Sequence, residues 1–409
     1  MGWGNWNPWR GLGRLPRAMW LLSAVTLIHR AGTMILPFLV LYLTDERGVA
    51  PARAGAALAV YGAGSLISGP LGGWLTDRWG ATRVMELSLV AGGGLAIALC
   101  YVPGFWPFLA AVFLWALVAE SFRAANLAAV SGGVPPQDRR ASFALLRLAV
   151  NLGMGVGPAA AGFLASVSFP LLFWIDGATS IAAGLVLAAA ARHRAARAAP
   201  PPATALAADR AAATAAYADR RFLLFLLASL PIIAVFFQLM GAMALHLVRN
   251  LRFAESTYGL LLTLNTGLIV LLEVPLNLRT AHWSHRRGLI IGSLLVGAGF
   301  GALALAQSLT QVVLTVIVWT FGEMILLPGL SACASDFATD ARRGEYMGLY
   351  QFAFSVAFSL GPWAGAAALG AFGPRVMWAG VFAASLVSAA AFARLRMPPT
   401  AAAPGSADA

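Results

Sequence analysis

Apolar runs long enough to cross a bilayer recur twelve times along this chain, and very few architectures can accommodate such a pattern. A span needs about 20 mainly apolar residues. Runs of this kind fall at 18–44, 54–76, 84–102, 106–131, 141–166, 170–191, 222–248, 257–278, 288–307, 310–334, 345–370 and 374–395. Lipid offers no partner to a backbone amide, so each run is expected as a helix. Only 11% of the 409 residues are charged, where a soluble domain carries about 25%. The chain reads as an all-α integral membrane protein with the bilayer as its solvent.

A formal net charge of +12 could suggest a nucleic-acid partner, but the distribution argues otherwise. All 28 basic residues are Arg. Twenty lie before the first run, in even-numbered connections or at the C-terminal end. Five lie in or at the edge of odd-numbered connections (Arg47, Arg53, Arg249, Arg252, Arg375), and Arg30, Arg123 and Arg147 lie deep inside runs. This bias places both termini in the cytoplasm, and nucleic acid is not an expected partner. Trp3, Trp6 and Trp9 with Arg10, Arg14 and Arg17 read as an interfacial anchor ahead of an uncleaved first span. Cys100 and Cys333 sit in apolar surroundings and read as packing residues, not metal ligands.

One connection is long. Residues 192–221 are rich in Ala, Pro and Arg, with Pro200, Pro201 and Pro202 in succession. Such a segment cannot bury a core and is expected as a flexible cytoplasmic linker. It separates a half at 1–191 from a half at 222–396, with a flexible tail at 397–409. The halves echo one another. Gly157-Pro158 recurs as Gly361-Pro362, 204 residues on, and Arg139-Arg140 as Arg342-Arg343, 203 residues on. Pro70 has its counterpart in Pro275.

Two motifs carry mechanism. Between the second and third runs lie Gly73, Leu75, Asp77, Arg78, Gly80 and Arg83. The glycines let helix ends approach, and an Asp there can accept from amides at a facing helix N-terminus. In the fifth run, Gly153, Gly157 and Ala161 are four apart and form one flat face for a neighbouring helix. Pro158 removes a backbone hydrogen bond and can bend the helix, and Gly162 follows.

The loop resembles the helix 2–3 signature of the major facilitator superfamily, with its usual basic pair shifted to Arg83. The fifth run resembles the antiporter signature, with Ala161 replacing one glycine. The likeness extends over the whole chain and is nearest to the twelve-span drug:proton antiporter branch. It implies the major facilitator fold, twelve helices as two six-helix halves, in a bacterial plasma (inner) membrane. One departure is Arg123, which stands mid-span and is followed by Asn126, so the branch's fourth-span Arg role is not carried onto it.

Charges inside spans are costly and point to function. Arg30 shares a face with Thr26 and Thr33, and Arg147 with Asn151; both faces would line a polar cavity. Glu120 and Arg123 are three apart, close enough to pair. Glu323, Glu273 and Glu120 are the candidates to bind and release a proton, Glu323 foremost; the alternative is that the glutamates pair with Arg30 or Arg147 as latches. Asp176 reads as a helix N-terminal acid. Trp319, beside Glu323, is expected at the cavity. In the seventh run Phe236, Met240, Met243 and Leu247, with Gln238 nearby, read either as an adaptable substrate wall or as an ordinary packed stripe. No nucleotide-binding loop, metal cluster or nucleophile motif accompanies them, so neither catalysis nor a cofactor is expected.

The expected activity is proton-coupled export of small amphipathic, drug-like compounds by a monomeric transporter. The alternative is proton-coupled import of peptides or other small solutes. An integral enzyme or a sensor would need a catalytic constellation or an added soluble domain, and neither is in the sequence.

Overall fold

The computed structural model describes residues 15–132, 139–192, 216–280, 282–338 and 343–398. The Trp-rich N-terminus, most of the 192–221 linker, Arg342 and most of the C-terminal tail lie outside these residues. So do the side chains of Asp77, Arg139, Arg140 and Arg343.

The chain is helical in the order α1 (Arg17–Ala31), α2 (Ile35–Leu41), α3 (Pro51–Trp79), α4 (Ala81–Leu99), α5 (Phe105–Ala119), α6 (Ser121–Gly132), α7 (Arg139–Val167) and α8 (Pro170–Arg192). There follow α9 (Arg220–Phe236), α10 (Ala242–Leu245), α11 (Glu255–Thr280), α12 (His285–Ala302), α13 (Leu309–Phe337) and α14 (Arg343–Arg394). Their ends follow local chemistry. Pro51 and Pro170 occupy first helical positions, where no amide is needed. Asp219 caps α9 by accepting from the Arg221 and Phe222 amides, and Ser308 with Gln311 forms a capping box on α13.

Among the described residues, ten helical stretches are long and apolar enough to cross a membrane, and they account for eleven of the twelve expected spans. The stretch Tyr346–Arg394 is two spans in one, because Gly373 breaks it with φ 77° and ψ 174°, a conformation that favours glycine. The ninth expected span is the 18-residue α12. Apolar side chains are left outward on these helices, among them Trp106 (72% exposed), Val167 (79%) and Leu271 (72%), as lipid-facing helices require.

Among the described residues three spans are not continuous helices, and the fourth is interrupted at Glu120, between α5 and α6. The first is interrupted at Gly32–Met34, between α1 and α2, and α2 runs on into a wide turn at Tyr42–Glu46. The seventh tightens to a 3₁₀ turn at Phe237–Met240 and breaks at Gly241, between α9 and α10.

By contact the chain forms two compact units, Met1–Ile35 with Gly64–Ala198 and Leu36–Ala63 with Ala199–Ala409. In the first unit α1 packs on α7 and α8, and α4 packs on α5, α6 and α8. In the second, α9 packs on α14, and α12 packs on α13 and α14. Residues 36–63 belong to the second unit for visible reasons. Tyr258 Oη donates to the Pro37 carbonyl at 3.3 Å, Arg249 Nε meets Asp45 at 2.9 Å, and Gly55 lies against the Trp363 backbone.

The sequence echo is also a structural repeat. Helices α3, α4, α5 and α7 begin at 51, 81, 105 and 139, while α11, α12, α13 and α14 begin at 255, 285, 309 and 343, each pair 204 apart.

Candidate functional site

In the first unit, α1, α6 and α7 line a partly open cavity of about 480 Å³. Its polar lining is Thr26, Arg30, Arg123, Asn126 and Arg147, and the remainder is Phe122, Leu127, Leu146 and Val150. All three arginines found inside spans therefore converge on one space. Thr26 donates its hydroxyl to the Leu22 carbonyl at 2.8 Å and accepts from Asn126 Nδ2 at 3.0 Å. Arg30 Nε and Asn126 Oδ1 are buried atoms with no hydrogen-bond partner among the described residues. Neither Thr33 nor Asn151 lines this space. The Thr33 hydroxyl turns back to the His29 carbonyl at 3.3 Å, and Val150 takes the place on the α7 face where Asn151 was expected.

Glu120 ends α5 just before Ser121 opens α6. Arg123 points into the cavity and makes no ion pair among the described residues, so the Glu120–Arg123 pairing expected from spacing is not formed.

Beside the cavity, the antiporter-type face of α7 meets α1 where α1 ends. A Cβ on Gly153 would come within 2.6 Å of Arg30 Cβ, and one on Gly157 within 3.0 Å of the Ala31 carbonyl oxygen. Helix α7 continues through Pro158, and the Gly162 carbonyl accepts from Ser166. Just beyond, the Asp176 carboxylate accepts from the amides of Met34 (3.0 Å) and Ile35 (3.1 Å). Asp176 is not the N-terminal acid of its own helix that was expected, since it is the seventh residue of α8 and the first turn of α8 holds no acid; it serves instead the restart of the first span.

In the second unit, Asn265 on α11 donates through Nδ2 to Thr320 Oγ1 at 3.0 Å and to Glu323 Oε2 at 2.8 Å, both on α13. Glu273, two turns further along α11, is 8% exposed and lies within electrostatic reach of Glu323. Asn265 is uncharged, and nothing in the sequence singles it out. The Thr266 hydroxyl is spent on the Leu262 carbonyl, so the adjacent face carries the chemistry.

Three residues expected at the cavity have other places. Trp319 is fully buried, stacked on Phe300 at 4.9 Å between ring centroids, inside the α12–α13 packing. Gln238 Nε2 donates to the Gly361 carbonyl at 2.7 Å and the Ala234 carbonyl at 3.0 Å, tying the broken seventh span to α14. Met243 is fully buried. The stripe Phe236, Met240, Met243 and Leu247 presumes an unbroken helix. The 3₁₀ turn and the break at Gly241 rotate Met240 and Met243 out of a common face.

At the signature loop, Gly80 adopts φ +83° and starts α4, turning the chain sharply. Gly73 stands in open space; the close approach belongs to Gly72, whose Cβ would lie 3.1 Å from Ser121 Cα. The Arg78 guanidinium stacks over Trp74 at 5.5 Å, and Arg83 is exposed. In the corresponding loop of the second unit Arg287 stacks over Trp283 at 4.6 Å, a pair of the same kind at different positions of the repeat.

A family profile described as Major Facilitator Superfamily matches residues 21–245 and again 225–409. An uncharacterised MFS-type transporter, YqjV of Bacillus subtilis, is 23% identical over 360 residues, 87% of each chain. A multidrug resistance protein, MdtH of Aeromonas salmonicida, is 24% identical over 83% of each chain. Among solved structures, a POT family transporter in complex with 5-aminolevulinic acid superposes with a TM-score of 0.78 at 16% identity, over 94% of this chain and 96% of that one.

Proposed function

This chain belongs to the Major Facilitator Superfamily, a family of transport proteins, and from that premise we propose that it is a secondary active transporter of the drug:proton antiporter branch. On this reading it exports small amphipathic compounds in exchange for protons, by alternating access. It works as a monomer in a bacterial plasma (inner) membrane, with both termini in the cytoplasm.

The observation that carries the reading is the hydrogen bond from Asn265 to Glu323 at 2.8 Å. A carboxyl group inside a membrane helix is expensive and is retained where it works. Glu323 has a single amide donor, a second acid in Glu273 within reach, and no arginine paired to it among the described residues. Such a group can load and release a proton as the cycle proceeds, with Glu273 and Glu120 as further candidates. The glycine face of α7 and the likeness to MdtH favour export.

The test is transport in proteoliposomes containing a pH-sensitive dye. Wild-type protein should move protons only when substrate moves. Glu323→Gln should lose flux driven by a pH gradient while retaining substrate counterflow. Gradient-driven flux that persists in this variant would remove Glu323 from coupling. Substrate movement in the same direction as protons would instead establish the second reading, an importer of peptides or other small solutes.

A further inference from the structure

We propose that the arginine-lined cavity of the first unit is a binding site for the anionic group of an organic substrate. This inference deepens the transport reading, and rests on it, by naming the chemical class that the cavity takes.

The cavity has an excess of one kind of hydrogen-bonding group. Arg30, Arg123 and Arg147 supply donors and positive charge, and no carboxylate lines the space among the described residues. A guanidinium presents a planar fork of donors that matches carboxylate, sulfonate or phosphonate oxygens. Arg147 has a further partner, which leaves Arg30 and Arg123 as the groups that would meet the anion. Among the described residues, Arg123 makes no ion pair and Arg30 Nε is a buried donor with no acceptor. A buried donor left unmet is costly unless something else meets it.

Asn126 makes the site more specific. The Thr26 hydroxyl is committed to the Leu22 carbonyl, so towards Asn126 it can only accept. That fixes Nδ2 on Thr26 and leaves Oδ1 as the free acceptor, buried and unpartnered. Asn126 itself is 5% exposed. The site therefore offers two cationic donors and one neutral acceptor. It fits an anion carrying a hydroxyl or N–H beside the charged group. Phe122, Leu127, Leu146 and Val150 provide an apolar wall for the rest of such a molecule. About 480 Å³ is room for a compound the size of an arylalkanoic acid.

Equilibrium binding to the purified full-length protein tests this, with radiolabelled phenylacetate as the probe. Mandelate serves as the analogue with the added hydroxyl, and benzyltrimethylammonium as the cation with a similar apolar body. Mandelate should compete more strongly than unlabelled phenylacetate, and benzyltrimethylammonium should not compete. Arg30→Gln and Arg123→Gln should each weaken binding about 10- to 100-fold. Arg123 has an exposed side chain, so its variant remains informative if the Arg30 variant fails to fold. Asn126→Leu should abolish the preference for mandelate over phenylacetate. The proposal is overturned if the cation competes as well as the acids, if phenylacetate binding survives both arginine changes, or if neither acid binds with a Kd below about 10 mM. Binding needs no gradient, so a failure of proton coupling or of outward direction would leave this result standing.

Discussion

Asp176 receives the amide of Met34 at 3.0 Å, at the point where the first membrane span stops being a helix and starts again. The same oxygen takes the Ile35 amide at 3.1 Å. An interrupted helix inside a bilayer must have its freed amides met by other groups, and here a single buried carboxylate meets two. Asp176→Ala should therefore destabilise the protein by about 2–4 kcal/mol, since two buried donors lose their acceptor. Asp176→Asn, which keeps an acceptor oxygen, should lose about 1 kcal/mol. Thermal unfolding in detergent, with amide exchange read at residues 34 and 35, checks both. Unchanged exchange in the alanine variant would mean that Asp176 does not hold the break.

The break in the seventh span has a different keeper in the same register of the repeat. Gly157 and Gly361 are 204 residues apart, and each stands against a span that is broken nearby: Gly157 against Ala31, Gly361 against Ala234. A Cβ on Gly361 would lie 2.8 Å from the Ala234 carbonyl, and one on Gly153 2.6 Å from Arg30 Cβ. Gly153→Ala and Gly361→Ala should each cost about 1–3 kcal/mol, as overpacked sites do. Gly94→Ala and Gly267→Ala, with open space around them, should be neutral or slightly stabilising. If all four behave alike in detergent melts, close packing at these glycines is not what holds the broken spans.

How much of this was legible in the sequence depends on the scale of the signal. The apolar runs revealed the helices, and the Gly157-Pro158 and Gly361-Pro362 pairs revealed a repeat that the helix starts follow. The breaks were not legible. Gly32 and Gly241 are single glycines in apolar runs, and such glycines are normally tolerated in membrane helices. Missing the break at Gly241 is what made Met240 and Met243 look like one wall. The converging arginines could be suspected from their cost in lipid, but Asn126 and Asn265 carry no charge and so gave no warning. Trp319 failed for the opposite reason: adjacency to Glu323 in number suggested a cavity, while its ring lies on the stacked side of α13 against Phe300.

Gly373 separates the last two spans with φ 77°. An L-residue in this conformation costs roughly 1–2 kcal/mol, so Gly373→Ala should lower stability by about that amount. Gly380→Ala, in open space within the last helix, should not. Differential unfolding of the two variants is the check, and equal stability would show that the turn relaxes to a conformation open to any residue.

The link between α11 and α13 can be weighed in the same currency. Asn265 bonds a neutral hydroxyl and a carboxylate with one amide nitrogen, Thr320 at 3.0 Å and Glu323 at 2.8 Å. Hydrogen bonds between membrane helices average about 0.6 kcal/mol and reach about 1.7, and those to a charged acceptor stand at the upper end. Double-mutant cycles should accordingly give a coupling of about 0.6 kcal/mol for Asn265→Ala with Thr320→Ala. Asn265→Ala with Glu323→Ala should give about 1.5 kcal/mol near neutral pH. The second coupling should fall toward the first in acidic buffer, because a protonated carboxyl group is a weaker acceptor than an ionised one. The Thr320 coupling has no titrating partner and should hold its value across the same range. Two couplings that stay equal at every pH would show that Glu323 does not ionise against Asn265, and would leave Glu273 and Glu120 as the acids to examine for proton exchange.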